Sequence, residues 1–222
     1  IVHEKLDNLV YLGLSFATRP RVVEHAARGE WEPAIRVLDG VPEIFPFIER
    51  VLLFDPAGII RSDLPRAVPS VIGQSRADRD WYKETRRRKA PYLSGIFPRG
   101  SDPKKNTVTV SVPVMPADSG QKPELTAILL LQLDPAIFPD WVRRIDIGPG
   151  SLIYIVDQFG HIVFHPGLDV RQKTADFSTV GIVRRLMAGK GGVEQNFNPV
   201  ENQERLAAYE PVPQYGWGVV VT

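Results

Sequence analysis

The sequence predicts an α+β fold, in which a long N-terminal helix precedes two similar modules, each an antiparallel sheet flanked by helices. Two observations predict this class. Apolar residues recur at helical spacing early in the chain, and strand-like patterns replace them after residue 50. A strand–turn–strand pattern then occurs twice, once in each half of the chain.

The first predicted element is a helix over residues 4–18, because Leu6, Leu9 and Leu14 fall at helical spacing. Such a stripe can form a parallel homodimer through the N-terminal helix. The same leucines can also pack on the chain's own sheet, and the sequence leaves both possibilities open.

Two shorter helices are predicted next. Pro20 suits the first turn of a helix that ends at Gly29, and Pro33 is expected to open a further helix that Gly40 closes. Residues 1–50 are therefore assigned to an N-terminal helical region.

The first sheet module is predicted from three patterns. "RVLLFDPAGIIRSD" indicates two strands joined by a tight turn that contains Asp55 and Gly58. "TVTVSVPVM" alternates with period two, and "LTAILLLQLD" is typical of a strand buried on both faces. A polar loop, residues 116–124, separates these two strands, and the module is placed at 51–145.

The second module repeats the hairpin. In "SLIYIVDQFGHIVFHPG", Asp157 and Gly160 take the positions of Asp55 and Gly58, and "WGVVVT" predicts a final strand. The second module is therefore placed at 151–222. Repetition of a supersecondary unit indicates two related modules.

Composition excludes several classes of protein. The 222 residues are 43% hydrophobic and 24% charged, as in soluble globular proteins, and a net charge of +1 argues against nucleic-acid binding. No cysteine is present, so disulfides, thiolate metal sites and cysteine nucleophiles are excluded; a periplasmic location is compatible with this. No segment reaches the roughly 20 apolar residues of a transmembrane helix. The abrupt ends predict a segment cut from a longer protein.

Catalytic and metal sites are not predicted. His161 and His165 lie four residues apart on a strand, so their side chains are roughly 13 Å apart and cannot share one metal without a bulge. Nucleotide-binding loops and nucleophile elbows are also missing from the sequence. We expect no catalytic residue, no metal and no cofactor.

The stretch "RADRDWYKETRRRKAPY" holds the strongest candidate for a binding site. Arg79, Trp81 and Tyr82 stand within four positions, and a guanidinium flanked by rings can grip a carboxylate in a low dielectric. In the competing interpretation the rings only anchor a helix, capped by Asp78, to the sheet. The cations that follow would then form a solvated helix end.

The chain resembles the double Cache sensor domains, the extracytoplasmic ligand-binding parts of bacterial transmembrane receptors. The similar stretches cover nearly the whole chain: "RDWY" at 79–82, "PYLSG" at 91–95, "VSVPV" at 110–114, "LLQLD" at 130–134, "IYIVDQFGHIVFHP" and "AYEPVPQYGWGVVV". The resemblance implies that the first module is membrane-distal and holds the ligand, and that the second lies nearer the membrane.

Residue roles follow from the amino-acid-binding members that the chain resembles. They imply that Arg79 and Trp81 bind the ligand carboxylate, that Tyr82 lines the pocket, and that Asp134 faces the amine. The full set of predicted ligand-binding residues is Arg79, Trp81, Tyr82, Tyr92, Ser94 and Asp134.

Two positions depart from that pattern. Ser94 stands where the pattern has an aspartate, and Gln74 stands where it has a tyrosine. Loss of a carboxylate weakens the cage for an ammonium group, so an organic acid competes with an amino acid as the expected ligand.

The predicted function is that of a periplasmic ligand-sensing domain in a transmembrane signalling receptor, most simply a sensor histidine kinase. The domain itself is expected to be non-catalytic, and its transmembrane helices are expected outside this segment. Alternatives are the sensor of a diguanylate cyclase or chemoreceptor and, from another class, a free periplasmic α+β enzyme or solute-binding protein.

Overall fold

The fold is described by a computed structural model that covers residues 1–100, 102, 104–116, 124–143, 145, 148, 150–200 and 202–222. The helices are α1 Val2–Ala17, α2 Pro20–Ala27, α3 Trp31–Arg36, α4 Val41–Ile44, α5 Asp80–Arg88, α6 Ile137–Val142 and α7 Gly181–Met187. The strands are β1 Ile48–Phe54, β2 Ile60–Leu64, β3 Tyr92–Leu93, β4 Phe97–Pro98, β5 Asn106–Val114, β6 Ala127–Leu133, β7 Ile153–Val156, β8 Ile162–Phe164, β9 Gly192–Asn198, β10 Gln203–Val212 and β11 Trp217–Val221.

The strand pairing confirms the predicted α+β class. One antiparallel sheet has the order β2-β1-β6-β5-β3, and β4 pairs with the start of β5. The second antiparallel sheet has the order β8-β7-β11-β10-β9. Most of the polar loop predicted at 116–124 lies outside the described residues. None of the described helices is both long enough and apolar enough to span a bilayer.

The chain divides into two compact units that are interleaved along the sequence. Unit I comprises Glu4–Ser94 and Val108–Asp134, and unit II comprises Ile1–His3, Gly95–Thr107 and Pro135–Thr222. The modules expected from the sequence were consecutive. The interleaving arises because the segment 95–107, which lies between two strands of the unit I sheet, contacts residues of unit II.

The segment 95–107 shows how unit II gains part of the predicted first module. The Ile96 N–H donates to Asp157 Oδ2 at 2.9 Å, and Asn106 Nδ2 donates to the Val170 carbonyl at 2.8 Å. Asp157 is fully buried, so these bonds satisfy polar groups that water cannot reach.

Helix α1 packs on one face of the unit I sheet. A Cβ at Gly13 would lie 2.9 Å from Val112 Cγ2 and 3.1 Å from Val110 Cγ1, so the glycine permits close approach of the helix to β5. Leu6 and Leu9 are 0% and 5% exposed. Packing within the chain is therefore the arrangement that the structure supports for these two leucines.

The short helices differ from their predicted bounds. Helix α3 begins at Trp31, so Pro33 lies inside its first turn and does not open it. Gly40 adopts a φ of 84° and directly precedes α4, a helical turn that the sequence analysis did not predict. A left-handed residue between two short helices favours glycine because a Cβ would be strained there.

The repeated hairpins have the same turn geometry. Asp55 Oδ1 accepts the Ile59 N–H at 3.0 Å, and Asp157 Oδ1 accepts the His161 N–H at 2.9 Å. The glycines that follow both aspartates have a φ of 82°. An aspartate that bonds its own turn, followed by a left-handed glycine, closes each hairpin.

Gly13→Val is expected to lower the free energy of unfolding by about 1–3 kcal/mol, because the new side chain overpacks the interface with β5. Urea denaturation measures the change. Asn8→Val at an exposed position of the same helix is the matched control, with an expected change within about 0.5 kcal/mol. Equal stability of the two variants would show that α1 does not pack closely on the sheet.

Candidate ligand-binding site

Helix α5 begins at Asp80, one residue later than predicted, because its N-cap residue is Arg79 and not Asp78. Arg79 is the N-cap residue, with extended backbone angles of φ −75° and ψ 141°, and Asp78 is 76% exposed at its side chain. The Arg79 side chain is 34% exposed, and its Nε lies 3.8 Å from Asp78 Oδ2. The extended backbone at Arg79 thus leads the chain into the helix that carries both candidate aromatic residues.

Both rings of α5 anchor it to the β1–β2 hairpin. Trp81 is 4% exposed and meets Phe54 edge to face, with ring centroids 4.9 Å apart. Tyr82 is 3% exposed, and its hydroxyl donates to the Pro56 carbonyl at 2.8 Å. The anchoring interpretation of these rings is therefore supported, and it fixes the helix N-terminus over the sheet.

The candidates on β3 and after it lie beside β5. Tyr92 pairs with Ser111, and the Arg88 guanidinium lies 5.5 Å from the Tyr92 ring centroid. Ser94 Oγ accepts the Thr109 N–H at 2.8 Å, and the Ser94 N–H donates to the Thr109 carbonyl at 2.9 Å. Ser94 therefore positions the backbone of Thr109.

Asp134 follows the end of β6, and its N–H donates to the Phe47 carbonyl at 2.9 Å. The Trp81 ring lies against Phe54, which pairs with Ile128 at the other end of this strand. The Trp81 carbonyl lies nearer to Asp134, because it is 3.4 Å from Ser111 Oγ and Ser111 pairs with Leu130. The structure thus brings Trp81 and Tyr82 together and places Asp134 four residues, or roughly 13 Å of strand, beyond Leu130.

A polar row crosses the centre of the unit I sheet on the face that α5 covers. Thr109 of β5 pairs with Gln132 of β6, and Gln132 pairs with Arg50 of β1. Directly paired residues point to the same face of a sheet. The face is that of α5, because the Thr85 hydroxyl of this helix lies 2.6 Å from Ser111 Oγ, two residues along β5 from Thr109.

The polar row, Thr109, Gln132 and Arg50, carries hydrogen-bonding capacity that the protein does not use. Thr109 is 1% exposed and Gln132 is 8% exposed. Thr109 Oγ1, Gln132 Nε2 and Arg50 Nε are all buried and have no hydrogen-bond partner among the described residues. Leaving a buried polar group unpaired costs about 1–3 kcal/mol, so three neighbouring cases indicate a site for another molecule.

Arg50 is held in place by an acidic neighbour. Its Nη2 pairs with Asp63 Oδ2, and the same oxygen accepts the Ala67 N–H at 2.8 Å. The Arg50 side chain is 11% exposed and that of Asp63 is 3% exposed. Asp63 is thus committed to Arg50 and to the backbone, which orients the guanidinium at the end of the polar row.

Two further arginines make this side of unit I positive. Burial lowers the pKa of Arg76, the charge of Arg79 lowers it further, and that of Arg50 adds to the effect, while Asp78 opposes it. Like charges act in this way only when they are near one another. Arg76 Nη2 donates to Gln74 Oε1 at 2.7 Å, so the glutamine that departs from the resembled pattern holds this cation.

Unit II repeats the architecture and so provides an internal comparison for the cationic positions. Its Thr222, which takes the place of Gln132, also has a buried Oγ1 without a hydrogen-bond partner among the described residues. The N-cap of α7 is Val180 where α5 has Arg79, and both have extended backbone angles. The hairpin alignment sets Leu152 at the position of Arg50. Leu152 bonds to Thr222 through both backbone groups, as expected for the equivalent strand pair. Cationic groups at these positions are therefore a property of unit I.

A cavity of about 710 Å³ lies in unit II, between α6 and the β7–β8 hairpin. Its lining is mostly apolar. The Arg171 and Asp169 side chains on its wall pair at 3.4 Å, and His165 Nδ1 accepts the Gly167 N–H at 3.0 Å. This cavity lies in the module for which no ligand was predicted, and its charges are largely compensated.

The sequence analysis did not identify Arg50, Arg76, Thr109 or Gln132. A signal for two of them was present. In "TVTVSVPV" the hydroxyl residues alternate with valines and so share one face, and Gln132 interrupts an otherwise apolar strand. The pairing register that joins them to Arg50 required the structure.

Comparison with known proteins gives one family. A family model described as a Cache domain, of the dCache_1 type, matches residues 33–222. No match was found among curated proteins.

Solved structures share the fold at low sequence identity. The extracellular domain of the candidate histidine kinase mmHK1S-Z2 has a TM-score of 0.70 at 12% identity, covering 99% of this chain and 90% of that one. The ligand-binding domain of the Pseudomonas aeruginosa amino acid chemoreceptor PctB, in complex with L-Arg, has a TM-score of 0.68 at 18% identity. The match covers 99% of this chain and 87% of the PctB chain. The ligand-binding domain of the Pseudomonas fluorescens chemoreceptor CtaA, in complex with L-serine, has a TM-score of 0.66 at 14% identity. The match covers 99% of this chain and 89% of the CtaA chain.

Thr109→Val is expected to raise the stability of the ligand-free protein by about 1 kcal/mol, because it replaces an unpaired buried hydroxyl with a methyl group of the same shape. Thr85→Val is the matched control. It removes a hydroxyl that is paired with Ser111, so it should lower stability by about 1–2 kcal/mol. Chemical denaturation measures both. A loss of stability in Thr109→Val equal to that in Thr85→Val would contradict the unpaired assignment.

Proposed function

This chain belongs to the Cache family of ligand-binding sensor domains, and we propose that it is the periplasmic sensor of a transmembrane receptor that binds a small carboxylate-bearing molecule in unit I. The observation that carries the proposal is the polar row, which offers buried and unused hydrogen-bonding groups and has two further arginines, Arg76 and Arg79, near its own Arg50. A carboxylate accepts hydrogen bonds and carries the opposite charge, so it suits both features.

In this proposal Arg79 and Trp81 lie at the entrance to the site, with Tyr82 and Tyr92 beside them. Arg79 is half-buried at the start of α5, and a guanidinium can pair with a carboxylate through two parallel hydrogen bonds. Trp81 fixes the helix on the sheet and limits the access of water. Asp134 remains a proposed partner for an amine, at the far end of β6.

Signal transmission needs two arrangements of the domain with different affinities for the ligand. A hundredfold preference for one arrangement shifts the equilibrium by about 2.7 kcal/mol, which is enough to reverse a balanced switch. Unit I is proposed to be membrane-distal and unit II membrane-proximal. The proposed output is a histidine kinase, supported by the fold shared with mmHK1S-Z2; chemoreceptors share the fold as well.

Arg79→Ala is expected to remove most of the thermal stabilisation that a bound carboxylate gives. At a hundred times its dissociation constant a ligand adds about 2.7 kcal/mol to the wild-type protein. A thermal-shift screen of amino acids and organic acids measures this. The control is Arg87→Ala, an exposed cation on the same helix, which should leave the shift unchanged. Ligands that stabilise Arg79→Ala and wild type equally would exclude Arg79 from the site.

A homodimer through α1 remains part of the proposal, with its contact surface on the exposed side of the helix. Tyr11 is 65% exposed there, unlike Leu6 and Leu9. Tyr11→Cys in the full-length receptor is expected to form a disulfide-linked dimer under mild oxidation. Lys190→Cys, at another exposed position, serves as the control. Equal cross-linking of the two variants, or none in Tyr11→Cys, would contradict an α1 dimer.

A further inference from the structure

We infer that the ligand of unit I is a small organic acid that carries no ammonium group, and that Thr109, Gln132 and Arg50 bind its carboxylate. This inference rests on the proposed sensor function and specifies the class of its ligand. In this inference the carboxylate is bound by the polar row on the central strands of the sheet, and not by the residues that the resemblance implies.

The unused groups of the polar row are mainly donors. Gln132 Nε2 and Arg50 Nε can only donate, and the Thr109 hydroxyl can donate or accept. Side chains that are paired across adjacent strands have Cβ atoms about 4.5–5.5 Å apart, so one small molecule can reach neighbouring members of the row. A ligand rich in acceptors satisfies these groups, and a carboxylate supplies two oxygens for them.

An ammonium group would find an unfavourable charge at the same place. Besides burial, the charges of Arg79 and Arg50 lower the pKa of Arg76, so both of these cations lie near Arg76. Asp63, the buried acid that pairs with Arg50, is already bonded to this guanidinium and to the Ala67 N–H. A cation placed on the polar row would therefore meet the positive charge of Arg50, and its burial would be costly.

The residue at position 94 also fits an acid better than an amine. The Ser94 hydroxyl accepts the Thr109 N–H, so it supports the polar row and offers no negative charge. Asp134, the acid expected to face an amine, lies two residues beyond Gln132, which places it roughly 7 Å further along the strand. Its backbone is bonded to Phe47 at the start of β1.

The test uses pairs of ligands that differ only by an amino group: succinate with L-aspartate, glutarate with L-glutamate, and propionate with L-alanine. Isothermal titration calorimetry on this chain should show at least one acid of these pairs binding at least about tenfold more tightly than its amino counterpart. Thr109→Val and Gln132→Leu should each lower the affinity for that acid by about tenfold or more, because a hydrogen bond to the charged carboxylate is lost.

Controls separate the polar row from general effects. Thr126→Val removes a hydroxyl that bonds the Val114 carbonyl outside the polar row, and it is the matched control for Thr109→Val. It should change the affinity less than about threefold. Arg50→Met leaves the buried Asp63 carboxylate without its cation, so this variant is used only if it folds. Thr109→Val and Gln132→Leu leave that ion pair intact.

The outcomes distinguish the inference from the proposed function. Tighter binding of an amino acid than of its matched acid, with Asp134→Asn abolishing it, would overturn the inference and keep the sensor function. An acid that binds equally well to Thr109→Val and Gln132→Leu would also overturn it. Absence of binding by both members of every pair would contradict the inference, and the sensor function would then be tested by the wider thermal-shift screen.

Discussion

The unit I sheet is constrained by buried polar groups that the protein leaves unsatisfied. Thr109, Gln132 and Arg50 lie side by side on three central strands, where apolar residues would pack without loss. A stable core avoids such groups, since each costs on the order of 1–3 kcal/mol when it is unpaired. Their presence in a row, under a helix that two aromatic rings fix to the hairpin, is explained if an acceptor-rich ligand completes the core.

The duplicated architecture shows which features belong to the fold and which to the function. Both units have the aspartate turn with its left-handed glycine, and both have a helix that begins after an extended residue. Unit I places Arg79 at that residue, and unit II places Val180 there. Turn chemistry and strand pairing are thus common requirements, whereas a cation at the N-cap position is specific to unit I.

Much of the fold could be predicted from the sequence, because its signals are local. Period-two alternation predicted β5, the apolar run predicted β6, and the turns that contain aspartate and glycine predicted both hairpins. The interleaving of the units could not be predicted, since it depends on contacts between the segment 95–107 and residues more than 60 positions away. For the same reason the sequence pointed to Arg79 and Trp81 within one short motif. It missed the polar row, whose three members come from strands far apart in the chain.

The most direct test of the account is a crystal structure of the chain grown with the organic acid that binds most tightly. The account predicts electron density for the ligand on the α5 face of the unit I sheet, with a carboxylate oxygen within about 2.7–3.2 Å of Gln132 Nε2 or Arg50 Nε. Density for the acid only in the cavity of unit II, beside Arg171, would contradict it.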